Sequence, residues 1–514
     1  MPELHLIDFG ILGLYLAVVV ALCIKVTLRN PDADELFLAG RSLGPAVIGL
    51  SLFASNISST TLIGLPGAAW DTGIAVANYE WMAALVLLFT AIYVAPVFLR
   101  RGITTVPEIL EQRFDPRLRK YLSATSLFLS VVLDTAGSLY AGALVLMLFF
   151  PDLSLGPTCA AMALFAGIYT AAGGLRAVAY TDVVQSIVLL LGSLILSTLV
   201  FAEFDFSWSA VSAALPAEKL SLLRPLDDPT LPWLGTLIGL PILGFYYWTM
   251  NQYVAQRLLG ARDIQAAGWG ALIAATLKLL PLFLMVLPGA MAATLIPDLD
   301  RADTVFPRLI IDYAPAGLTG LLLAGLIAAI MSSVDSALNS ASTLVMVDFV
   351  KPRHPELSDR HIAKLGRWIT LLLMLIAALW APNIDRFPGL FAYLQQAFAY
   401  VTPPLVAVFA IGMTTRSIDA RAALHGTASG HGVSAILFIG AQLGWHNIHF
   451  TLVAGLLFVL TILAIYLWQA SDASRASAAR EAAPIRHGET VSGALKISAL
   501  LLAVATAVLV WFFR

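Results

Sequence analysis

The chain has 514 residues, 59% of them hydrophobic and only 12% charged, with a formal net charge of -2. No soluble core needs so much apolar sequence, so the composition is that of a polytopic, all-α integral membrane protein. It holds no basic run that would suit nucleic acid and no Walker motif for ATP, so any pumping must draw on an ion gradient.

Apolar runs predict about fourteen transmembrane helices, at 7–28, 43–70, 75–99, 119–150, 155–174, 181–204, 233–259, 268–295, 317–350, 367–382, 390–415, 421–443, 450–469 and 492–513. Met1 to Asp8 lacks the positive n-region of a signal peptide, so the first run is expected to be retained. Cys23 and Cys159 lie in apolar segments and read as inert helix residues. Counting residues at span ends with their loops, 23 of the 30 Lys and Arg fall on the odd-numbered connections and 5 on the other side. This asymmetry predicts that both termini face outward, with an external loop at 205–232 and a disordered cytoplasmic linker at 470–491.

Interruptions come next in chain order. The second span carries Ala54-Ser-Asn-Ile-Ser-Ser-Thr-Thr-Leu-Ile-Gly-Leu-Pro-Gly67, which is poor material for a continuous helix. At membrane depth such a break requires its freed carbonyls to face protein, water or an ion. The seventh span contains Gly239-Leu-Pro-Ile-Leu-Gly244, five spans later. Paired interruptions at that spacing predict an inverted-repeat transporter with its site at the midplane. The repeats would be 43–204 and 233–415, with 1–42 and 416–514 peripheral.

Charges inside spans need partners. Glu80 opens the third span and Lys278 lies in the eighth, so each is the natural counter-charge of the other. Asp134 sits mid-span, Asp182 opens the sixth span and Gln395 lies in the eleventh. The ninth span holds Leu326 to Thr343, where Ala329, Ser332, Ser333, Ser336, Ser340 and Thr343 share a helical face beside Asp335, Asn339 and Ser342. Oxygen ligands at such spacing suit a hard cation, although small and hydroxyl residues also mark helix packing in membranes.

These strings, together with Tyr79-Glu-Trp-Met82, Gly173-Gly-Leu-Arg-Ala-Val178, Thr181-Asp-Val-Val-Gln185 and Asn251-Gln-Tyr253, resemble the sodium/solute symporter family, in particular its sodium/glucose and galactose cotransporters. The resemblance implies a LeuT-like 5+5 inverted-repeat fold and sodium as the coupling ion. It implies a main sodium site at the carbonyls of Ala54, Ile57 and Ala329 and the hydroxyls of Ser332 and Ser333. A second sodium site, as in some relatives, would use Asp182, Ser332 and Ser336. Asp335 departs from that pattern, because relatives carry a hydroxyl or Ala there.

For the substrate the resemblance implies Glu80, Lys278 and Gln395 as polar contacts. Tyr247 would be an inner gate held by Asn56, and Tyr79 and Phe391 would be outer-gate aromatics. Ser58 and Thr61 are nearer to sialic-acid relatives, but Asp134 stands where those place an arginine, which disfavours an anion. The expected ligand is a neutral sugar or polyol; an organic cation, amino acid, vitamin or sialic acid stays open. A membrane sensor would carry an appended signalling domain, and an enzyme would show a nucleophile–base pair or metal cluster. The chain shows none of these, nor a segment calling for an obligate protein partner. The expected location is the plasma (inner) membrane.

Overall fold

The structure, a computed structural model, describes residues 4–27, 33–57, 59–386, 390–471 and 491–514. Among them every element is helical, apart from one isolated bridge between Leu43 and Ala261. The helices that position the site are, in chain order, α1 (Leu6–Thr27), α2 (Ala33–Leu38), α3 (Pro45–Asn56), α4 (Ser59–Thr72), α5 (Ile74–Arg101), α6 (Pro116–Phe149), α7 (Leu155–Ala202) and α8 (Leu240–Phe245). They continue with α9 (Gln252–Leu259), α10 (Ile264–Leu295), α11 (Leu318–Leu344), α12 (Asp359–Trp380), α13 (Leu390–Thr414), α14 (Ala420–Gln442), α15 (Phe450–Ala470) and α16 (Gly493–Phe512).

Nine described helices are long and apolar enough to cross a bilayer, and α3 with α4 makes a tenth span bent by 54°. The fourteen expected spans are therefore not reproduced one for one. The clearest difference is α7, which runs unbroken through the connection expected at 175–180. Between Pro157 and Ala202 no proline removes an amide, so nothing forces the backbone out of the helix. The α14 segment is diluted by Gly, His and Ser and is not among the nine. Most of the expected linker, residues 472–490, lies outside the described residues.

The core is a layered bundle. α11 lies between α7, α12 and the bent pair α3–α4, while α10 packs along α3 and α4. α13, α14 and α15 pack mainly with one another, α16 rests on α10 and α5, and α1 lies on α7 and α11. Glycine permits the closest of these approaches: a Cβ on Gly289 of α10 would lie 2.4 Å from the carbonyl oxygen of Pro66 in α4.

The first interruption falls inside the expected Ala54–Gly67 string, ahead of its Gly and Pro, and the second falls beyond the expected Gly239–Gly244. Pro66 sits inside α4, and the break comes earlier, where Ile57 leaves the helix with ψ 61°. In the second broken pair the chain turns at Asn251, with ψ 123°, while Gly244 stays helical within α8. Gly239 serves contact instead, since a Cβ there would lie 2.1 Å from the carbonyl oxygen of Thr451 in α15.

Candidate solute and cation site

Helix ends create the site. A helix that stops in the membrane leaves its last carbonyls without intrahelical partners. At the end of α3, Thr61 Oγ1 turns back to donate to the carbonyl of Asn56 at 2.6 Å, bracing the bend. At the second break, Asn251 Oδ1 accepts from the amide of Tyr253 at 3.3 Å, so the residue that ends one helix caps the next. Its amide nitrogen donates to Asp134 Oδ2 at 3.3 Å. Asp134 and Tyr247 both lie in π turns, Ser130–Thr135 and Tyr246–Met250, and such turns re-aim side chains without ending the helix.

A cavity lies between the two breaks. Asn56, Thr61, Tyr79, Glu80, Asp134, Tyr247, Phe391 and Gln395, scattered along the sequence, all line it. Lys278 reaches it indirectly: its ammonium pairs with Glu80 and lies 4.8 Å from the Trp248 ring centroid. Both members of the pair are buried, and each removes the other's unpaired charge. Ser58 lies outside the described residues.

The cavity is bounded by aromatic rings at both ends. Tyr79 and Phe391 meet edge to face with centroids 5.0 Å apart, and both also line a second, wider cavity that reaches Pro229, Thr230 and Asn447. They form the partition between the two. At the other end Tyr247 hydrogen-bonds Tyr253 through the hydroxyls and packs edge to face on Phe398 at 6.0 Å. Asn56 and Tyr247 line the same cavity wall.

Trp248, Tyr253, Ser138 and Phe398 also line the cavity and were not singled out by sequence. Ser138 follows Asp134 by four residues and Phe398 follows Gln395 by three, so a helical-face search from those anchors finds them.

Ser333 opens onto this same cavity, beside Ser55 and Asn56 at the end of α3. Ser333 donates its proton to the carbonyl of Ala329 at 2.8 Å, and Ser332 donates to Asp182 Oδ1. With their protons engaged, both hydroxyl oxygens present only lone pairs to a further partner. Ala54, Ile57 and Ala329 are fully buried.

Behind the serines lies a buried ionic cluster. Asp182 Oδ2 accepts from Ser51 at 2.5 Å, from Ser55 at 3.2 Å and from Arg257 Nη2 at 3.0 Å. The same Arg257 nitrogen donates to Ser336 Oγ at 2.5 Å, and Arg257 Nε donates to Ser51 Oγ at 2.7 Å. Arg257 falls near the end of the expected span 233–259, and sequence reasoning assigned it no part in the site. In fact it is wholly buried, and it is the group that joins Asp182 to Ser336. Asp335 is buried on the same helix.

A broken-helix membrane bundle enclosing a polar, aromatic-lidded cavity against a row of hydroxyl oxygens is the architecture of a membrane solute carrier, and its solved neighbours share a LeuT-like fold. The structure resembles a Na+-coupled sialic acid symporter solved in a substrate-bound outward-open state, with TM-score 0.79 and 22% identity over 92% of this chain and 98% of that one. It also resembles Mhp1, a nucleobase-cation-symport transporter, with TM-score 0.58 and 16% identity over 92% of this chain and 99% of that one. At these identities the likeness concerns the fold.

Sequence relatives include a sodium/glucose cotransporter of Vibrio parahaemolyticus, 33% identical over 458 residues, covering 83% of this chain and 84% of that protein. A sodium/mannose cotransporter of Bos taurus is 34% identical over 475 residues, covering 84% and 79%. A sodium/myo-inositol cotransporter 2 of Homo sapiens is 34% identical over 463 residues, covering 82% and 68%. The profile of the sodium:solute symporter family matches residues 36–430, and the chain belongs to that family. It is a multi-pass membrane transporter with sodium as its coupling ion.

Proposed function

We propose that the protein imports a neutral sugar or polyol together with sodium by alternating access. The observation that carries this reading is a single cavity shared by Glu80, Asp134, Gln395 and Asn56, by aromatic faces, and by Ser333 at the helix break. Carboxylate and amide groups accept and donate to hydroxyls, while ring faces cover the apolar side of a sugar. The relatives named for glucose, mannose and myo-inositol all carry neutral polyhydroxylated solutes. Glu80 is neutralised by Lys278 within the cavity wall, which suits an uncharged ligand.

Sodium would bind at the carbonyls of Ala54, Ile57 and Ala329 and the hydroxyls of Ser332 and Ser333. It would fasten the end of α3 to α11 and so shape the adjoining solute cavity. Tyr79 and Phe391 would then part toward the outside, and Tyr247 with Asn56 would release the solute inward. Asp182 and Ser336 stand as candidates for a second sodium with Asp335. Arg257 already supplies Asp182 with a positive charge, which favours one sodium per cycle.

The positive-inside asymmetry supports external termini, and our reading places the protein in the plasma (inner) membrane with repeats at 43–204 and 233–415. One sodium supplies roughly 2.3 kcal/mol per 100 mV and about 1.4 kcal/mol per tenfold gradient, so accumulation on the order of several hundredfold needs no ATP.

A second reading, an amine-bearing solute, rests on Asp134, whose carboxylate lines the cavity and accepts from Asn251. Sodium-driven uptake into proteoliposomes, screened over hexoses, inositols, amino acids and amines, separates the two. Transport confined to amines would overturn the sugar reading.

A further inference from the structure

The helix that precedes the family fold reaches the helix that carries the serines. Asp8 lies in the first turn of α1 and is 2% exposed. Its Oδ1 accepts from the amides of Gly317 and Gly320, both at 2.7 Å, and its Oδ2 accepts from the amide of His5 at 2.9 Å. Gly317 and Gly320 belong to the start of α11, where the first amides have no intrahelical acceptor.

Asp8 is thus an N-cap supplied by another helix. Gly317 turns the chain with φ +86°, and no side chain of its own caps α11. Gly320 is shaped for the contact, because a Cβ there would lie 2.5 Å from the Asp8 Cα and 2.7 Å from its carbonyl oxygen. Further along, Tyr15 and Val19 of α1 bury against Ala324. This contact lies five residues before Ala329.

We propose that Asp8 is a positioning residue for cation binding, pinning the start of α11 so that Ala329, Ser332 and Ser333 meet the end of α3 in register. This rests on the sodium reading above. From Gly320 to Ser332 the helix rises about 18 Å without a proline, and a rigid rod carries a tilt or slip at one end to the other. An anionic acceptor at this end also opposes the partial positive charge of the amides. Without it, the start of α11 exchanges between its seated and a displaced position, and sodium binds only the seated fraction. Apparent affinity then falls by that fraction, while the number of sites stays the same.

The test is binding of radioactive sodium to the purified full-length protein, comparing wild type with Asp8→Ala, Asp8→Asn and Ser333→Ala. Asp8→Ala should raise the half-saturating sodium concentration by about three- to tenfold, the scale of a lost N-cap carried into binding. Asp8→Asn keeps one carbonyl acceptor and should fall between it and wild type, with the maximum bound per protein unchanged. A purely structural role would lower the maximum and leave half-saturation where it was.

Wild-type half-saturation in Asp8→Ala, with Ser333→Ala shifted, overturns the proposal alone. No shift in either variant overturns the sodium reading as well. If Asp8→Ala does not fold, Asp8→Asn and Gly320→Ala, which displaces Asp8, decide by the same readout.

Discussion

Ser333 and the Glu80–Lys278 pair are the residues on which the proposed chemistry turns. Ser333→Ala removes an oxygen donor at the cavity wall and should raise the sodium needed for half-maximal uptake about tenfold or more. Initial uptake rates against sodium concentration measure it, and an unchanged curve removes Ser333 from the cage. Lys278→Met strands a buried carboxylate, a defect of about 3–5 kcal/mol when a buried pair loses one partner. Thermal unfolding in detergent should show a large fall for Lys278→Met, and Glu80→Gln combined with Lys278→Met should recover much of it. If the double variant is no more stable than the single one, the two charges do not depend on each other.

The pairing was legible in sequence because a lone cation and a lone anion in hydrocarbon have few other ways to be tolerated. Arg257 was not legible, because a basic residue near a span end reads equally well as a topology signal. Only the packing of α3, α7, α9 and α11 brings Ser51, Asp182 and Ser336 to its guanidinium.

At the scale of elements, the sequence announced that two helices break and set the first within Ala54–Gly67, where it falls, but set the second at Gly239–Gly244, short of Asn251. Gly and Pro were read as breakers, yet Pro66 and Gly244 are accommodated inside helices. The turns come instead at Ile57 and Asn251, where side-chain hydrogen bonds replace the lost helical ones. The glycines serve close packing, a tertiary property that a single sequence does not display. Gly289→Ala should accordingly lower the thermal midpoint, because its Cβ would meet the backbone of Pro66 at 2.4 and 2.5 Å. Gly156→Ala, with no atom within 4 Å, is the control and should leave the midpoint unchanged. Equal midpoints in both variants would mean that α10 and α4 separate at little cost.

α2 and the turn after it form another strained element. Ala39, Gly40 and Arg41 all have positive φ, held by Arg176, which pairs with Glu35 at 2.6 Å and donates to the carbonyl of Ala39 at 3.1 Å. That conformation costs about 1–3 kcal/mol per non-glycine residue and persists only because its surroundings fix it. Nothing in the local sequence, beyond one glycine, foretold it.

At the scale of the whole molecule, the proposed cation and solute sites share one cavity, so each ligand should alter the other's affinity. Sodium should tighten solute binding by the same factor as solute tightens sodium binding. Titrating each ligand calorimetrically at low and at saturating concentrations of the other measures both factors. Unequal factors would show a third bound species, and two factors of one would show that the sites are uncoupled. The multi-pass character and family were plain from composition and motifs. The unbroken course of α7 was not, because a run of small and apolar residues with a single Arg176 reads equally well as a short connection.

The guanidinium of Arg257 has an electrical consequence. A cation that is part of the chain is never delivered to either side, so it contributes nothing to the net current. With one mobile sodium and an uncharged solute, each turnover should carry a single elementary charge, and current and solute flux should match one for one. Two charges per solute would mean that Asp182 shares its oxygens with a second travelling ion in spite of its resident partner.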